Sequence, residues 1–170
     1  MTNQEIVNPV ASRPSVTGYG IPESSEGMLP WSFAESRLID AKNYWVATVS
    51  PAGIPNSVPV WASWINGQIY FSVGETTRSA RNLAKNPQIS VNLESGDEVV
   101  YLKGKAEIVH DPDPELSRAI DDDFARKYNY RFSEQSQSPV GEGMFVVEPR
   151  VVIAWSKLPD DATSWHFNER

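Results

Sequence analysis

The sequence lacks several features that would place the protein in well-known functional classes. It contains no cysteine, which excludes disulfides, iron–sulfur clusters and zinc sites built from thiolates. It has no apolar run near the roughly 20 residues that a membrane-spanning helix needs. Its first residues have neither the basic nor the apolar stretch of a signal peptide. We therefore expect a cytoplasmic protein.

Positive charge is scarce as well. The chain of 170 residues has a formal net charge of -7 and a pI of about 4.8. This balance argues against a general nucleic-acid-binding protein and against a protein that docks on anionic membranes. Residues 51–110 differ from the rest, since they carry equal numbers of acidic and basic side chains. A local positive patch is therefore expected in the middle of the chain.

Residues that bind metals are also few. The chain has two histidines, and His110 stands alone, so it is interpreted as structural. Asp121, Asp122 and Asp123 are consecutive on a predicted helix and point in different directions, which favours a solvated face over a metal site. The sequence therefore predicts no metal.

Aromatic side chains, by contrast, are abundant, with six tryptophans in the chain. Such side chains anchor cores, interfaces and planar ligands. Trp61 and Trp64 lie on opposite faces of one predicted strand. One can pack inside the protein while the other faces a dimer partner or a cofactor. Packing of both in core and interface is the alternative.

The remaining pattern predicts an antiparallel β protein with few helices. Residues 1–30, rich in proline and glycine, indicate an extended arm, and residues 31–170 a single domain. Strands are predicted at 44–50, 54–65, 68–73, 88–94, 98–110 and 144–157, and helices at 32–43, 77–85 and 111–130. Asn66-Gly67 is typical of a hairpin turn, and Glu148-Pro149 of a bend or bulge. Strands joined by tight turns imply a meander that the last strand can close into a barrel.

The segment TTRSARN at residues 76–82 is the strongest candidate for chemistry. It opens the short predicted helix with two threonines, a serine and two arginines. Free N–H groups at a helix start bind anions, and arginine suits phosphate geometry. A capped surface helix with solvated charges has the same pattern. The residues alone leave both interpretations open.

Three stretches in order resemble the pyridoxamine 5′-phosphate oxidase-like superfamily of flavin and deazaflavin split barrels. They are NYWVATVSPAGIPNSVPVWASWINGQIYFSV, TRSARNLAKNP and ISVNLESGDEVVYLKGKAEIV, which together cover about half of the chain. The resemblance implies a mainly β fold, an antiparallel Greek-key split β-barrel of the FMN-binding type. It also implies a homodimer with the cofactor at the interface.

By position, the resemblance assigns residues to the ring of the cofactor, to its ribityl chain and to its phosphate. In that order they are Val60, Trp61 and Ala62; Ser72 and Val73; and Thr77, Arg78, Ser79, Arg81 and Asn82. Relatives often carry lysine at the position of Ser79, so here Arg78 and Arg81 have to balance the phosphate charge.

The C-terminal end of the chain is a second region that the resemblance marks. In the superfamily this end often reaches the substrate side of the cofactor. Trp165 or His166 would then cover the ring or contact the substrate. A tail that only packs on the barrel is the alternative.

The implied function is an FMN-dependent oxidoreductase that transfers hydride to or from a small organic substrate. The flavin carries the hydride itself, so no catalytic dyad within the protein is expected. One alternative is a reductase using the deazaflavin F420, whose polyglutamate tail favours basic residues such as Arg13, Lys103 and Lys105. The other is a flavin-binding or sequestering protein without turnover, which Ser79 favours slightly. Pyridoxamine phosphate oxidation itself is disfavoured, because Arg170 alone is basic after Lys157.

Overall fold

The computed structural model describes residues 9–110, 113–135 and 143–168. The strands are β1 (Val10–Ser12), β2 (Tyr44–Val49), β3 (Pro55–Val60), β4 (Ala62–Ile65), β5 (Gln68–Ser72), β6 (Gln88–Asn92), β7 (Val99–Ile108), β8 (Met144–Trp155) and β9 (Thr163–His166). The helices are α1 (Trp31–Asp40), α2 (Arg78–Leu83) and α3 (Pro114–Tyr128), and a 3-10 turn spans Ser133–Gln135. Within these ranges, none of the helices has the length and apolar character needed to cross a membrane.

The strands form one antiparallel sheet, as the sequence predicts. Its main path runs β1-β9-β8-β7-β6-β2-β3, and β5 joins β8 with β4 beyond it. The long β8 pairs with β7 along most of its length, while its first part also pairs with β5 and its last part with β9. Within the described ranges no ladder joins β3 to β4. The sheet is therefore not closed, and the fold is a split β-barrel.

The split falls at Trp61. The sequence predicts one strand over 54–65, but the structure divides it. β3 pairs with β2 up to Val60, whereas β4 pairs with β5 from Ala62 onward. The chain thus changes its pairing partner from β2 to β5 at Trp61, because β3 and β4 belong to different parts of the barrel.

A bulge bends the pair of long strands β7 and β8. The register shifts between Lys103, which faces Val151, and Gly104, which faces Pro149. A Cβ atom at Gly104 would lie 2.2 Å from the carbonyl oxygen of Glu148, so the close approach requires glycine. The predicted bend at Glu148-Pro149 is confirmed.

Two apolar clusters hold the elements together. The larger one fills the barrel and includes Ala34 and Leu38 of α1, which lies against β4, β7 and β8. The smaller one lies under α3, where Ile120 and Phe124 pack against Met144 of β8 and a side chain of β5. As a result, α3 covers one side of β4 and β5 and ends close to the split.

The N-terminal arm adds β1 to the sheet edge beside β9. Arg13, directly after β1, donates hydrogen bonds to backbone carbonyls of Ser24, Glu26, Asp160 and Ala162. Four of the five N–H donors of its guanidinium are therefore used by the protein itself. The guanidinium is not free to bind an anionic tail.

Candidate functional site

Residues around the split come from β3, β4 and β5. Ala62, directly after Trp61, pairs with Phe71, directly before Ser72. Val60 and Ala62 are buried, whereas Ser72 is exposed and Trp61 is 49% exposed. Of the three residues assigned to the ring, Trp61 is the one whose side chain reaches the surface.

The end of β5 is tied to the start of β8. The N–H of Val73 donates to the carbonyl of Gly143 at 3.1 Å. A Cβ at Gly143 would lie 2.3 Å from the Val73 carbonyl oxygen. Val73, assigned to the ribityl chain, is therefore held by backbone contacts and is half-buried.

Buried polar side chains fasten α2 to the barrel. Asn56 of β3 donates to the hydroxyl of Ser79 at 3.0 Å, and Asn82 donates to the hydroxyl of Thr48 at 3.1 Å. Ser79, Asn82 and Thr48 are all buried. Ser79 and Asn82 therefore hold the segment in place, and their side chains are withdrawn from the surface where a phosphate would lie.

The surface of the same segment is basic. Thr77 caps α2, and its hydroxyl accepts a hydrogen bond from the N–H of Ala80 at 3.2 Å. Arg78 and Arg81 are exposed, and neither has an ion-pair or hydrogen-bond partner within the described ranges. These two guanidinium groups are available to an anion.

β3 connects this basic surface to the split. Its residue Asn56 contacts Ser79 of α2, and Trp61 follows its last residue. Five residues of strand at about 3.3 Å each span roughly 16 Å. An elongated ligand with an anionic end and a planar end can therefore lie along this edge strand.

Trp61 is backed by an aromatic side chain of α3. Its ring stacks on the ring of Tyr128, with centroids 4.5 Å apart and planes at 5°. Tyr130 lies further away, at 6.4 Å and 60°. Stacking of this kind adds to the energy of burial. It leaves the other face of the indole for a planar ligand.

Ala62, the neighbour of Trp61, has no free backbone group. Its N–H donates to the hydroxyl oxygen of Tyr128 at 3.0 Å. Its carbonyl accepts from the Nζ of Lys127 and lies 2.9 Å from the same hydroxyl. Side chains of α3 therefore occupy both backbone hydrogen-bonding groups of Ala62, and its assignment to the cofactor ring stays a prediction.

Lys127 and two neighbouring tyrosines, Tyr44 and Tyr128, have shifted pKa values. The Nζ of Lys127 lies 3.1 Å from a carboxylate oxygen of Asp123 and 3.3 Å from the hydroxyl of Tyr44. Burial lowers the pKa of Lys127, an effect that Asp123 opposes. Burial raises the pKa of Tyr44 and raises that of Tyr128 to about 12. Both phenols therefore keep their protons near neutral pH and can donate hydrogen bonds.

The two residues predicted near the substrate lie on opposite faces of β9. Trp165 is 1% exposed and packs edge-on against Trp31, with centroids 5.5 Å apart. It belongs to the core, and its assignment near the cofactor stays a prediction. His166 is exposed, and its Nε2 lies 3.3 Å from the hydroxyl of Ser164.

The outer face of the sheet is aromatic. Across β3, β2, β6, β7 and β8 the register places Pro59, Trp45, Asn92, Tyr101 and Ile153 side by side, and Trp155 lies two residues beyond Ile153 on the same side. We call these six residues the outer face. Trp45 is 40% exposed, and the rings of Tyr101 and Trp155 meet edge-on at 6.0 Å. His166 lies on this side too, because it pairs with Val151, two residues before Ile153.

The acidic cluster on α3 differs from its expected solvated form at Asp121 and at Asp123, whose side chain is 16% exposed and pairs with Lys127. Asp121 is buried, and its carboxylate accepts from the N–H of Phe132 at 2.7 Å and the hydroxyl of Ser133 at 2.7 Å. Asp122 is exposed and pairs with Arg131. Among the described residues no cluster of three or more histidine or acidic side chains is arranged to hold a metal ion.

Comparison with known proteins shows what the chain is similar to. A family model described as pyridoxamine 5′-phosphate oxidase matches residues 34–156. Comparison with curated proteins finds no match. A structure described as a 5-nitroimidazole antibiotic resistance protein from Bacteroides thetaiotaomicron is 17% identical, with a TM-score of 0.60, over 84% of this chain and 89% of that one.

Two further solved structures carry the names of different cofactors. One is described as an F420 reductase, with 20% identity and a TM-score of 0.51 over 76% of this chain and 98% of that one. The other is a heme binding protein from Mycobacterium smegmatis, with 20% identity and a TM-score of 0.58 over 79% of this chain and 58% of that one. At such identities the likeness shows the shared fold alone.

Proposed function

The chain belongs to the pyridoxamine 5′-phosphate oxidase family, and we propose that it is an FMN-dependent oxidoreductase acting on a small organic substrate. Bound FMN would supply the hydride chemistry. The residues of this chain would bind the cofactor, orient its ring and exclude water from one side. The family match supports the proposal, and the geometry around the split fits an elongated ligand with an anionic end.

The observation that carries the proposal is that the exposed guanidinium groups of Arg78 and Arg81 have no ion-pair partner among the residues that the structure describes. Three other arginines of this acidic chain, Arg37, Arg126 and Arg131, each pair with carboxylates. Two unpaired guanidinium groups three residues apart are suited to a phosphate, which accepts charge-assisted hydrogen bonds from several donors. The hydroxyl of Thr77 adds a third donor.

The other assigned residues would act around this phosphate site. Ser79 and Asn82 would hold α2 against the barrel. Ser72 and Val73 would line the path of the ribityl chain, and Val60 would support the strand beneath it. Trp61 would lie against the flavin ring at the split.

A homodimer would complete the site. The outer face presents several aromatic and aliphatic side chains that no described segment of the same chain covers, and a second copy of the same face is the occupant that the family membership favours. His166 lies on this side of the sheet, so it would approach the site of the partner subunit. A stable interface of this kind buries more than about 1,000 Å².

The deazaflavin alternative has less support from the structure. Arg13 donates to four backbone carbonyls, and Lys105 pairs with Glu107 at 2.5 Å. Of the three basic residues considered for a polyglutamate tail, Lys103 alone has no partner within the described ranges. FMN, with a single phosphate, matches the local charge at Arg78 and Arg81 better.

Side-by-side titrations of the purified protein with FMN, F420 and heme test the proposal. We expect FMN to bind at micromolar concentration or below. We also expect bound FMN, once photoreduced, to be reoxidised by an organic acceptor faster than free FMN. Tighter binding of F420 or heme than of FMN would contradict the proposal that FMN is the cofactor. Binding of FMN without any turnover would favour a carrier.

A further inference from the structure

We infer that the last turn of α3 positions the stacking surface of the cofactor site: Lys127 and Tyr128 fix Trp61 through Ala62. This inference rests on the proposed function, since the ring to be stacked is that of FMN. Neither Lys127 nor Tyr128 is exposed enough to act as a main contact, because Lys127 is buried and Tyr128 is covered on one face by Trp61. They act through their neighbour as positioning residues.

Side chains of α3 hold Ala62 in place through hydrogen bonds to its backbone. One helix supplies partners for both backbone groups of this residue: the hydroxyl of Tyr128 for its N–H, and the Nζ of Lys127 for its carbonyl. The same hydroxyl lies 2.8 Å from the carbonyl of Lys42, before β2. The chain at the split, where no ladder joins β3 to β4, is therefore fixed by side chains of α3.

Stacking on Tyr128 also fixes the orientation of the Trp61 indole. Parallel rings 4.5 Å apart prevent Trp61 from rotating toward α3. The backbone grip prevents its Cα from moving away. An aromatic surface held in this way is ready for a planar ligand before the ligand arrives, which reduces the entropy lost on binding.

Lys127 holds the Ala62 carbonyl from a buried position. Its side chain is 2% exposed, and its amine reaches Asp123, Tyr44 and the Ala62 carbonyl. A buried ion pair contributes little net stability compared with an apolar side chain of similar volume. The Lys127 amine donates a hydrogen bond to the carbonyl of Ala62, which an apolar side chain could not do. This hydrogen bond fixes the position of the backbone beside Trp61.

The test compares FMN with riboflavin, which has the ring but no phosphate. Tyr128→Phe keeps the stacked ring and removes the hydroxyl that grips Ala62. We expect it to weaken both ligands by the same factor, roughly three- to tenfold. We also expect the visible circular dichroism of bound FMN to change, because the ring environment becomes less ordered. Trp61→Leu should weaken both ligands further and relieve the quenching of flavin fluorescence.

Tyr130→Phe is the matched control, since its hydroxyl has no hydrogen-bond partner in the part of the chain that the structure describes. It should leave both affinities and the dichroism unchanged. Lys127→Met serves as a second variant should Tyr128→Phe fold poorly, and it should change the dichroism in the same way.

Each other outcome has a definite meaning. Unchanged dichroism and affinity in folded Tyr128→Phe or Lys127→Met would overturn the inference. Unchanged riboflavin binding by Trp61→Leu would overturn it as well. If the wild-type protein binds neither FMN nor riboflavin, the proposed function itself fails, and the inference fails with it.

Discussion

At the scale of single residues, Ser79 stands at a position where relatives often carry lysine, and it has a different role there. Its hydroxyl is buried and accepts a hydrogen bond from Asn56. A lysine there would have to bring its charge out past the α2–β3 contact. At this position the chain has a neutral contact that fixes α2, and under the proposed function the phosphate charge would be left to Arg78 and Arg81.

Replacement of Arg78 by alanine tests this division of roles. Arg78→Ala should weaken FMN binding by about 1.5–3 kcal/mol, the range for a hydrogen bond to a charged group. Riboflavin binding should be unaffected, because the lost contact is to phosphate. Lys85→Ala, which removes an exposed positive charge beyond the end of the same helix, is the control and should have little effect. Equal loss in both variants would indicate a general charge effect instead of a contact.

Asp161 gives a prediction about pH. Burial raises the pKa of its carboxyl, but hydrogen bonds from Ser156 and Lys157 outweigh that effect, so its pKa lies below the ordinary value. The native state therefore favours the ionised form. The resulting stability is present above the ordinary pKa of about 3.9 and is lost as pH falls through the lower native value.

The corresponding measurement is denaturant unfolding from pH 7 to pH 3. Asp161→Asn should lower the free energy of unfolding by about 1.5–3 kcal/mol at pH 7, and its difference from wild type should shrink at low pH. Asp160→Asn, at an exposed neighbour, should show no such pH dependence. A difference that is constant with pH would contradict the assignment.

At the scale of elements, local sequence patterns identify most helices and strands but not all of their partners. The hairpin at Asn66-Gly67 and the bend at Glu148-Pro149 are marked by turn chemistry and are both present. The division of 54–65 at Trp61 is not marked, because it depends on which distant strand each half meets. β9 and β1 were missed for the same reason, since two short segments become strands by pairing with each other and with β8.

The same limit applies to the candidate site. Basic and hydroxyl side chains at 76–82 identify a local segment, and family resemblance assigns the rest. No motif marks Lys127 and Tyr128, because their importance comes from the contact of α3 with a strand more than sixty residues earlier. Likewise, alternation along the chain does not show that Trp165 faces the core and His166 the surface until β9 is known to be a strand.

The bulge between β7 and β8 gives a prediction at this scale. Gly104→Ala would place a methyl group against the Glu148 carbonyl, and overpacking of this severity costs about 3 kcal/mol or more. We expect the Tm to fall by about 6–12 °C, given some 2–4 °C per kcal/mol for a protein of this size. Gly96→Ala is the control, because a Cβ there meets no atom within 4 Å. A similar Tm for both variants would show that the bulge relaxes freely.

At the scale of the whole molecule, the barrel has two different aromatic surfaces. Trp61 and Tyr128 lie beside the split, while Trp45 belongs to the outer face. The first suits a planar ligand, and the second suits another protein surface. An acidic chain with Arg78 and Arg81 exposed on α2 and a largely apolar outer face is consistent with the proposed FMN-binding homodimer.

Charge introduced into the outer face tests the dimer. Trp45→Arg should shift the sedimentation behaviour from dimer to monomer, because an unpaired charge would be buried at the interface. FMN affinity should fall with it, since the second wall of the site is lost. Ile39→Arg adds the same charge at an exposed position of α1 and should remain dimeric. A monomeric wild-type protein that still binds FMN would contradict the role of the dimer.

The central claim is that the basic surface of α2 and the split at Trp61 together hold FMN. Comparison of FMN with riboflavin in a calorimetric titration of the wild-type protein tests it most directly. The account predicts micromolar or tighter binding of FMN, and riboflavin binding that is weaker by at least about tenfold, as expected for loss of one charged contact. Equal affinity for the two ligands, or no binding of either, would contradict it.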